Sequence, residues 1–251
     1  MIRIVLMNIW VYFLLIGWTV IASVIAFPAL VIWRLLTRWS FTKIMRLFVW
    51  IYGRICILIF RPFIGLQRCN LNRERMPSPG IIVMNHLSFF DTYLVCLLPV
   101  FDINVCLRSW PFRMLWYSFF MRIADYLDME GSSWEEIVTA TEKVKQKKHY
   151  MIIFPEGHRS RTGKPRRFYS GAFKLATQLN LPILPLCVTG THEFQPPGRW
   201  WLKPSQIKLK LLPPVYPEAY SGERAHVDMR KDVHRKMVDA IEQMGNDCEC
   251  E

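Results

Sequence analysis

From Ile4 to Trp33 this chain carries no acidic, basic or histidine side chain, and Leu, Ile, Val, Phe and Trp dominate the run. A stretch so long and so free of charge predicts a helix embedded in a membrane. Wholly helical, it would measure about 45 Å at about 1.5 Å per residue. The hydrocarbon core is about 30 Å thick, so the segment can cross with room for tilt. Pro28 is expected to bend the helix or mark its end. With only Arg3 ahead of so long an apolar region, a cleaved signal peptide is not expected.

Ser40 to Leu66 is again rich in large apolar residues but is punctuated by Lys43, Arg46, Arg54 and Arg61. At about 100° per residue these cations fall within about 80° of one another. That pattern predicts a helix lying in the interface, cations toward lipid phosphates and apolar groups toward acyl chains. Residues 1–66 therefore read as a membrane-associated helical region. Arg34, Arg38, Lys43 and Arg46 follow the first apolar run, against Arg3 before it. The positive-inside tendency places the larger C-terminal part on the cytoplasmic face of a membrane, the inner membrane in a bacterial cell. Two routes stay open: a crossing helix, or a hairpin that dips in and returns.

The chain has 251 residues, enough for one full-core domain beside the membrane region. Apolar residues make up 52% and charged residues 21%, which excludes general disorder. The net charge of +12 suits an anionic membrane surface, an acidic carrier protein or a polyanion, and does not separate them. The seven cysteines are odd in number and mostly embedded in apolar runs such as Val105-Cys106-Leu107. They are expected as reduced packing residues in a cytosol-facing environment. Cys248-Glu249-Cys250 lacks the second pair that a structural metal site needs.

Beyond a polar, proline-bearing hinge at 67–80, short β-branched runs alternate with helix-length segments. Strands are expected at 81–84, 103–107, 150–154, 183–189 and 207–212. Helices are expected at 92–98, 111–121, 134–148, 171–180 and 228–244. Residues 67–251 thus predict an α/β domain on a mixed sheet, behind the N-terminal membrane-embedded helices.

Two segments that follow buried-strand patterns carry the chemistry. The first is Met84-Asn85-His86-Leu87-Ser88-Phe89-Phe90-Asp91. A histidine with an ordinary pKa of about 6.5 can take a proton near neutrality. A carboxylate on its other ring nitrogen fixes the tautomer and stabilises the imidazolium. In one continuous helix His86 and Asp91 would lie about 140° apart. The pair therefore requires His86 in the strand-to-helix loop and Asp91 at the helix start, where a carboxylate also suits the N-terminus. The second is Phe154-Pro155-Glu156-Gly157-His158-Arg159-Ser160, with Arg161, Lys164, Arg166 and Arg167 close behind. Gly157 permits a sharp turn, and Arg159 and Arg161 offer planar forks for phosphate oxygens. Some of Lys164, Arg166 and Arg167 are expected to be plain solvated cations.

Two other patterns fail. Gly157 to Lys164 has the wrong glycine spacing for a P-loop, and Pro165 stands where Ser or Thr is required. His192-Glu193 opens like a zinc-protease helix, but Pro196 replaces the second histidine. No metal and no bound cofactor are expected.

At these residues the chain resembles the membrane-bound glycerolipid acyltransferases typified by 1-acyl-sn-glycerol-3-phosphate acyltransferase. The likeness covers roughly residues 80–190. Asn85 to Asp91 fits an NHxSxxD block and Phe154 to Ser160 an FPEGTRS block. Phe168 with Ser170-Gly171-Ala172 and Leu181-Pro182-Ile183-Leu184-Pro185 follow in the family's order. The resemblance implies that His86 is the general base, with Asp91 as its partner, acting on an acyl thioester of coenzyme A or of an acidic acyl carrier protein. It implies that Glu156, Gly157 and Arg159 help hold the acceptor's glycerol phosphate, with Arg108 supplying a further cation. The chain departs from the family at His158, where threonine is usual. It departs again at Ala124 to Glu130, which carries acids where a second cation is expected.

The expected activity is transfer of a fatty acyl group to the hydroxyl of lysophosphatidate in phospholipid biosynthesis, with the membrane lipid as acceptor and no nucleic-acid partner. Three alternatives stay open: another lysolipid such as a lyso amino-acid lipid, a thioester hydrolase, and a non-catalytic basic membrane adaptor.

Overall fold

A computed structural model of the chain describes residues 1–246; Cys248 and Cys250 lie outside the described residues. The apolar N-terminal run forms one helix, α1 (Ile2–Leu36), which continues through Pro28. Its stretch Ile2–Ala26 is long and apolar enough to cross a membrane. After a short turn, the Ser40 hydroxyl accepts the Lys43 N–H and starts α2 (Phe41–Phe60), which Pro62 stops within a single 3-10 turn. Along α1, Met7, Val11, Ala22, Ala26 and Leu30 are buried at helical spacing, while Ile9, Trp10, Phe13, Ile16, Val20 and Val24 are exposed. Trp18 Nε1 donates to the Tyr52 carbonyl at 3.3 Å, and Thr19 Oγ1 lies 2.9 Å from the Tyr52 hydroxyl, so polar contacts also join α1 to α2.

The basic face of α2 does not turn to lipid phosphates as expected. Arg46 is buried, its Nη1 2.9 Å from Asp102 Oδ1 and its Nε 2.8 Å from the Ala124 carbonyl. The Arg54 Nε donates to the Cys96 carbonyl at 3.2 Å, and its guanidinium sits 3.9 Å from the Trp50 ring. A carboxylate and backbone carbonyls of the α/β domain, one at the C-terminal end of a helix and one in a 3-10 turn, capture these cations because α2 is packed on that domain.

Seven strands form one sheet in the order β1-β7-β6-β2-β5-β3-β4. They are β1 (Ile64–Cys69), β2 (Gly80–Met84), β3 (Ile103–Leu107), β4 (Leu127–Asp128), β5 (Tyr150–Ile153), β6 (Ile183–Thr189) and β7 (Ser205–Leu211). Every pairing is parallel except β6 with β7, which makes the sheet mixed. The remaining helices are α3 (Asp91–Leu94), α4 (Ser109–Phe112), α5 (Leu115–Ile123), α6 (Trp134–Gln146), α7 (Gly171–Leu179), α8 (Thr191–Phe194) and α9 (Ala225–Asn246).

The boundary expected between residues 66 and 67 falls inside β1, whose Ile64 pairs with Ser205 and whose Cys69 pairs with Lys210. The break lies earlier, where Pro62 halts α2 and frees the chain to add an edge strand. Alternate residues of β2 serve two cores: Ile82 and Met84 pack with α2 and α3, and Ile81 and Val83 pack with α7 and α9. Burial on both faces is why this strand reads as an unbroken apolar run. Cys56, Cys96, Cys106 and Cys187 are free and buried, whereas Cys69 is disulfide-bonded, which departs from the fully reduced set expected.

Strand direction sets the position of the site. β2, β5, β3 and β6 are mutually parallel neighbours, with Val83 opposite both Ile153 and Pro185, and Ile152 opposite Val105. The loops that leave their C-terminal ends therefore emerge at one edge of the sheet, where α/β proteins build their clefts.

Candidate active site

The loop after β2 is pinned before it presents any chemistry. The Asn85 carboxamide brackets Val188 of β6, its Oδ1 accepting the Val188 N–H at 2.8 Å and its Nδ2 donating to the Val188 carbonyl at 3.0 Å. Ser88 Oγ donates to the Gln195 carbonyl at 2.6 Å and accepts the Phe90 N–H at 3.1 Å. Between these anchors His86 stands in the loop, and Asp91 opens α3.

His86 Nδ1 lies 2.9 Å from Asp91 Oδ2. The same buried oxygen accepts the Leu87 N–H at 2.7 Å and the Ser88 N–H at 2.8 Å. An oxygen that already accepts two backbone donors is a carboxylate acceptor, so the Nδ1–H tautomer is assigned to His86 from the network. That leaves Nε2 with its lone pair. The His86 side chain is 17% exposed, and its ring lies 4.3 Å from that of Phe154.

The loop after β5 meets the first from the side. The Ser160 N–H donates to the His86 carbonyl at 2.8 Å. The His86 N–H donates to Glu156 Oε1 at 3.1 Å. Glu156 is only 2% exposed and is turned behind the histidine, away from the cavity. The headgroup contact that the resemblance implied for it is therefore corrected: a short carboxylate just before Gly157 is captured by a buried backbone donor. Burial pushes its pKa up to about 7, against the pull of the His86 and Arg166 backbone N–H groups, and the nearby Asp91 charge adds to the rise. Gly157 adopts φ +68°, and a Cβ there would come within 3.1 Å of the Tyr169 ring, so the turn requires glycine.

His86 opens onto a cavity of about 1290 Å³. This cavity is lined by apolar side chains, among them Val49, Trp50, Phe101, Val105, Trp110 and Met114, and by Arg46, Arg108, Arg159, Arg161, Arg166 and Arg199. Arg159 and Arg161 come from the β5 loop, as their position in the sequence requires. Arg108 lies at the end of β3 with its Nε 2.6 Å from Glu130 Oε1. The acids noted at 124–130 thus become its partner: the Ser109 N–H also donates to Glu130, and Asp128 accepts the Ser109 hydroxyl. Arg166 joins the lining, whereas Lys164 and Arg167 do not. Arg199 and the loop that carries it were missed; their only signal was the turn-forming Pro196-Pro197-Gly198. His192 Nε2 meets the Arg161 carbonyl at 3.0 Å, and among the described residues no group of three or more His, Cys, Asp or Glu is placed to hold a metal ion.

The structure thus sets a histidine, held by a carboxylate, beside a cavity lined by both apolar and arginine side chains. The acyltransferase family model matches residues 68–189. The chain is 28% identical over 218 residues to the 1-acyl-sn-glycerol-3-phosphate acyltransferase of Limnanthes douglasii, covering 82% of this chain and 75% of that protein. It is 26% identical over 247 residues to the enzyme of that name from Cocos nucifera, covering 89% and 77%. The crystal structure of PlsC, the 1-acyl-sn-glycerophosphate acyltransferase of Thermotoga maritima, has the same fold, with a TM-score of 0.77 at 22% identity over 99% of this chain and 98% of that one. Residues 68–189 thus match the acyltransferase family, and over most of its length the chain is similar to 1-acyl-sn-glycerol-3-phosphate acyltransferases.

Proposed function

We propose that this protein transfers a fatty acyl group from a thioester, on coenzyme A or acyl carrier protein, to the hydroxyl of lysophosphatidate, forming phosphatidate and a free thiol with no further cofactor. The observation that carries the reading is the 2.9 Å His86–Asp91 contact, which leaves Nε2 free beside a cavity lined by apolar and arginine side chains. His86 takes the acceptor's hydroxyl proton at Nε2 as the oxygen attacks the thioester carbonyl. Asp91 stabilises the imidazolium, which returns the proton to the departing thiolate as the tetrahedral intermediate collapses. The acyl chains lie against the apolar side chains, and Arg159 and Arg161 grip the phosphate. The names of the relatives supply the acceptor, and the arginines lining the cavity fit it. Purified His86→Ala should remain folded and lose transfer of labelled acyl chains to lysophosphatidate; turnover at the wild-type rate in that variant would refute the role. Release of free fatty acid without an acceptor would instead establish a hydrolase.

How α1 is held supports a membrane placement in one leaflet. Asn8, near one end, hydrogen-bonds both the N–H and the carbonyl of Leu202, at 2.8 and 3.0 Å. Leu30, near the other, packs with Met45 and Ala124. These points lie about 33 Å apart along the helix, about the thickness of the hydrocarbon core. A crossing α1 would carry one of its two docking points on the domain to the far leaflet. This supports entry into one leaflet through the exposed apolar face of α1; the cytoplasmic side for the α/β domain rests on the positive-inside charge bias alone. An epitope at the N-terminus should be accessible from the same side of sealed vesicles as one at the C-terminus; opposite accessibility would sink this placement.

A further inference from the structure

The loop between α8 and β7 has no part in the proton transfer, yet its construction is unusual. Pro196-Pro197-Gly198-Arg199 closes a tight turn, with the Arg199 N–H donating to the Pro196 carbonyl at 3.1 Å and Gly198 at φ +83°. Directly after it stand two tryptophans in the open: Trp200 is 83% exposed and Trp201 42%. Arg199 and Lys203 flank them. Large exposed indoles cost hydrophobic free energy in water, and no packing within the chain repays it here.

The loop is not loose. The Asn8 carboxamide pairs with both polar atoms of the Leu202 backbone, and Asn8 is itself buried. The Tyr12 hydroxyl donates to the Trp200 carbonyl. At its other end the Gln195 carbonyl is held by Ser88, two residues from His86. The backbone that carries the indoles is thus fixed to the N-terminal part of α1, the same stretch that exposes Ile9, Trp10 and Phe13. Arg199 and Trp200 also line the cavity onto which His86 opens.

We propose that residues 196–203 form an interfacial anchor that seats the cavity mouth on the bilayer, with Trp200 and Trp201 at the headgroup level and Arg199 and Lys203 against lipid phosphates. Tryptophan collects at the membrane–water boundary because its ring is amphipathic. Flanking cations favour an anionic surface. Continuity with the apolar face of α1 selects lipid over a protein partner, since the same bilayer plane that takes α1 meets the loop. The proposal rests on the membrane placement of α1 given above and not on the acyl-transfer chemistry.

The test uses the full chain reconstituted in phosphatidylcholine vesicles containing phosphatidylglycerol, compared with a Trp200→Phe/Trp201→Phe variant. The difference between the two emission spectra isolates these indoles from the other tryptophans. The expected difference spectrum is blue-shifted from that of water-exposed indole, and is quenched more by lipids brominated near the glycerol end of the chain than by lipids brominated near its methyl end. A difference spectrum at the water-exposed position and unquenched by either lipid overturns the anchor. Stronger quenching by the deep label overturns the interfacial depth. No acyl transfer is read, so a failure here leaves the catalytic reading untouched.

Discussion

Glu156→Gln separates a residue that positions the base from one that grips substrate. The glutamine keeps an oxygen for the His86 N–H and removes the ionisable group. In the folded chain burial raises this carboxyl from its ordinary 4.5 to about 7. A raised carboxyl pKa means that folding favours the neutral form. Its contribution is fully present below about 4.5, falls as pH rises toward about 7, and is absent above that. At about 1.36 kcal/mol per pH unit, that gap corresponds to about 3 kcal/mol. The group is nearly fully buried, so solvent screening does not discount the figure. Thermal unfolding of wild type and variant in one detergent, from about pH 4.5 to about pH 8, supplies the measurement. Every other titrating group cancels in the difference. The variant should gain on the wild type by about 3 kcal/mol across the range, with the change centred between the two pKa values. Parallel stability curves would refute the buried-carboxyl argument. A rise in KM for the acceptor with kcat unchanged would refute the placement of Glu156 behind His86.

Asp91→Ala strips the acceptor from three buried donors, at about 1–3 kcal/mol each, and should fail to fold or melt well below the wild type. Asp91→Asn should fold, since an amide oxygen can still serve the Leu87 and Ser88 N–H groups, but lose roughly 10²–10⁴ in kcat as the histidine tautomer is lost; normal turnover would sink the pair. Arg46→Met leaves Asp102 facing only His149 Nδ1, 3.3 Å away, and should cost about 3 kcal/mol by denaturant titration; an unchanged midpoint would mean that α2 is not held through this contact. Gly157→Ala forces an alanine into left-handed backbone against Tyr169, and should cost about 1–2 kcal/mol in the same measurement.

Much of this architecture was legible because the central strands are short, apolar and parallel. The runs at 81–84, 103–107, 150–154, 183–189 and 207–212 each mark an observed strand to within two residues. β1 was not legible. Ile64-Gly65-Leu66-Gln67-Arg68-Cys69 has neither clean alternation nor β-branched enrichment, and its strand state comes from pairing with β7 far along the chain. β4 is two residues long and carries no periodicity. The cations of α2 misled for a related reason. Periodicity places Arg46 on a face but does not say which surface that face meets, and Asp102, its partner, lies in a loop distant in sequence. At the site, the spacing of His86 and Asp91 already demanded a loop followed by a helix start, which is local geometry. That Glu156 faces inward and Arg199 faces the cavity depends on how loops from different strands cross, which no local pattern encodes.

The same crossing explains why so many uncharged polar residues surround the histidine. Asn85 ties the β2 loop to β6, Ser88 ties it to Gln195, and Ser160 and Glu156 tie it to the β5 loop. Gln195 leads, within a few residues, to the backbone held by Asn8 and Tyr12 of α1. An unbroken run of hydrogen bonds and short chain segments therefore connects the apolar helix to the imidazole. Under the proposed function the acceptor lies in a bilayer and the base must be held at a fixed depth, because displacement of reacting atoms by about 1 Å can cost about 10²-fold in rate. Flexible tethering of a soluble domain to a separate anchor would leave that depth to chance. In that reading Asn8, buried near the N-terminal end of a largely apolar helix, fixes it, which accounts for a polar side chain in so apolar a run.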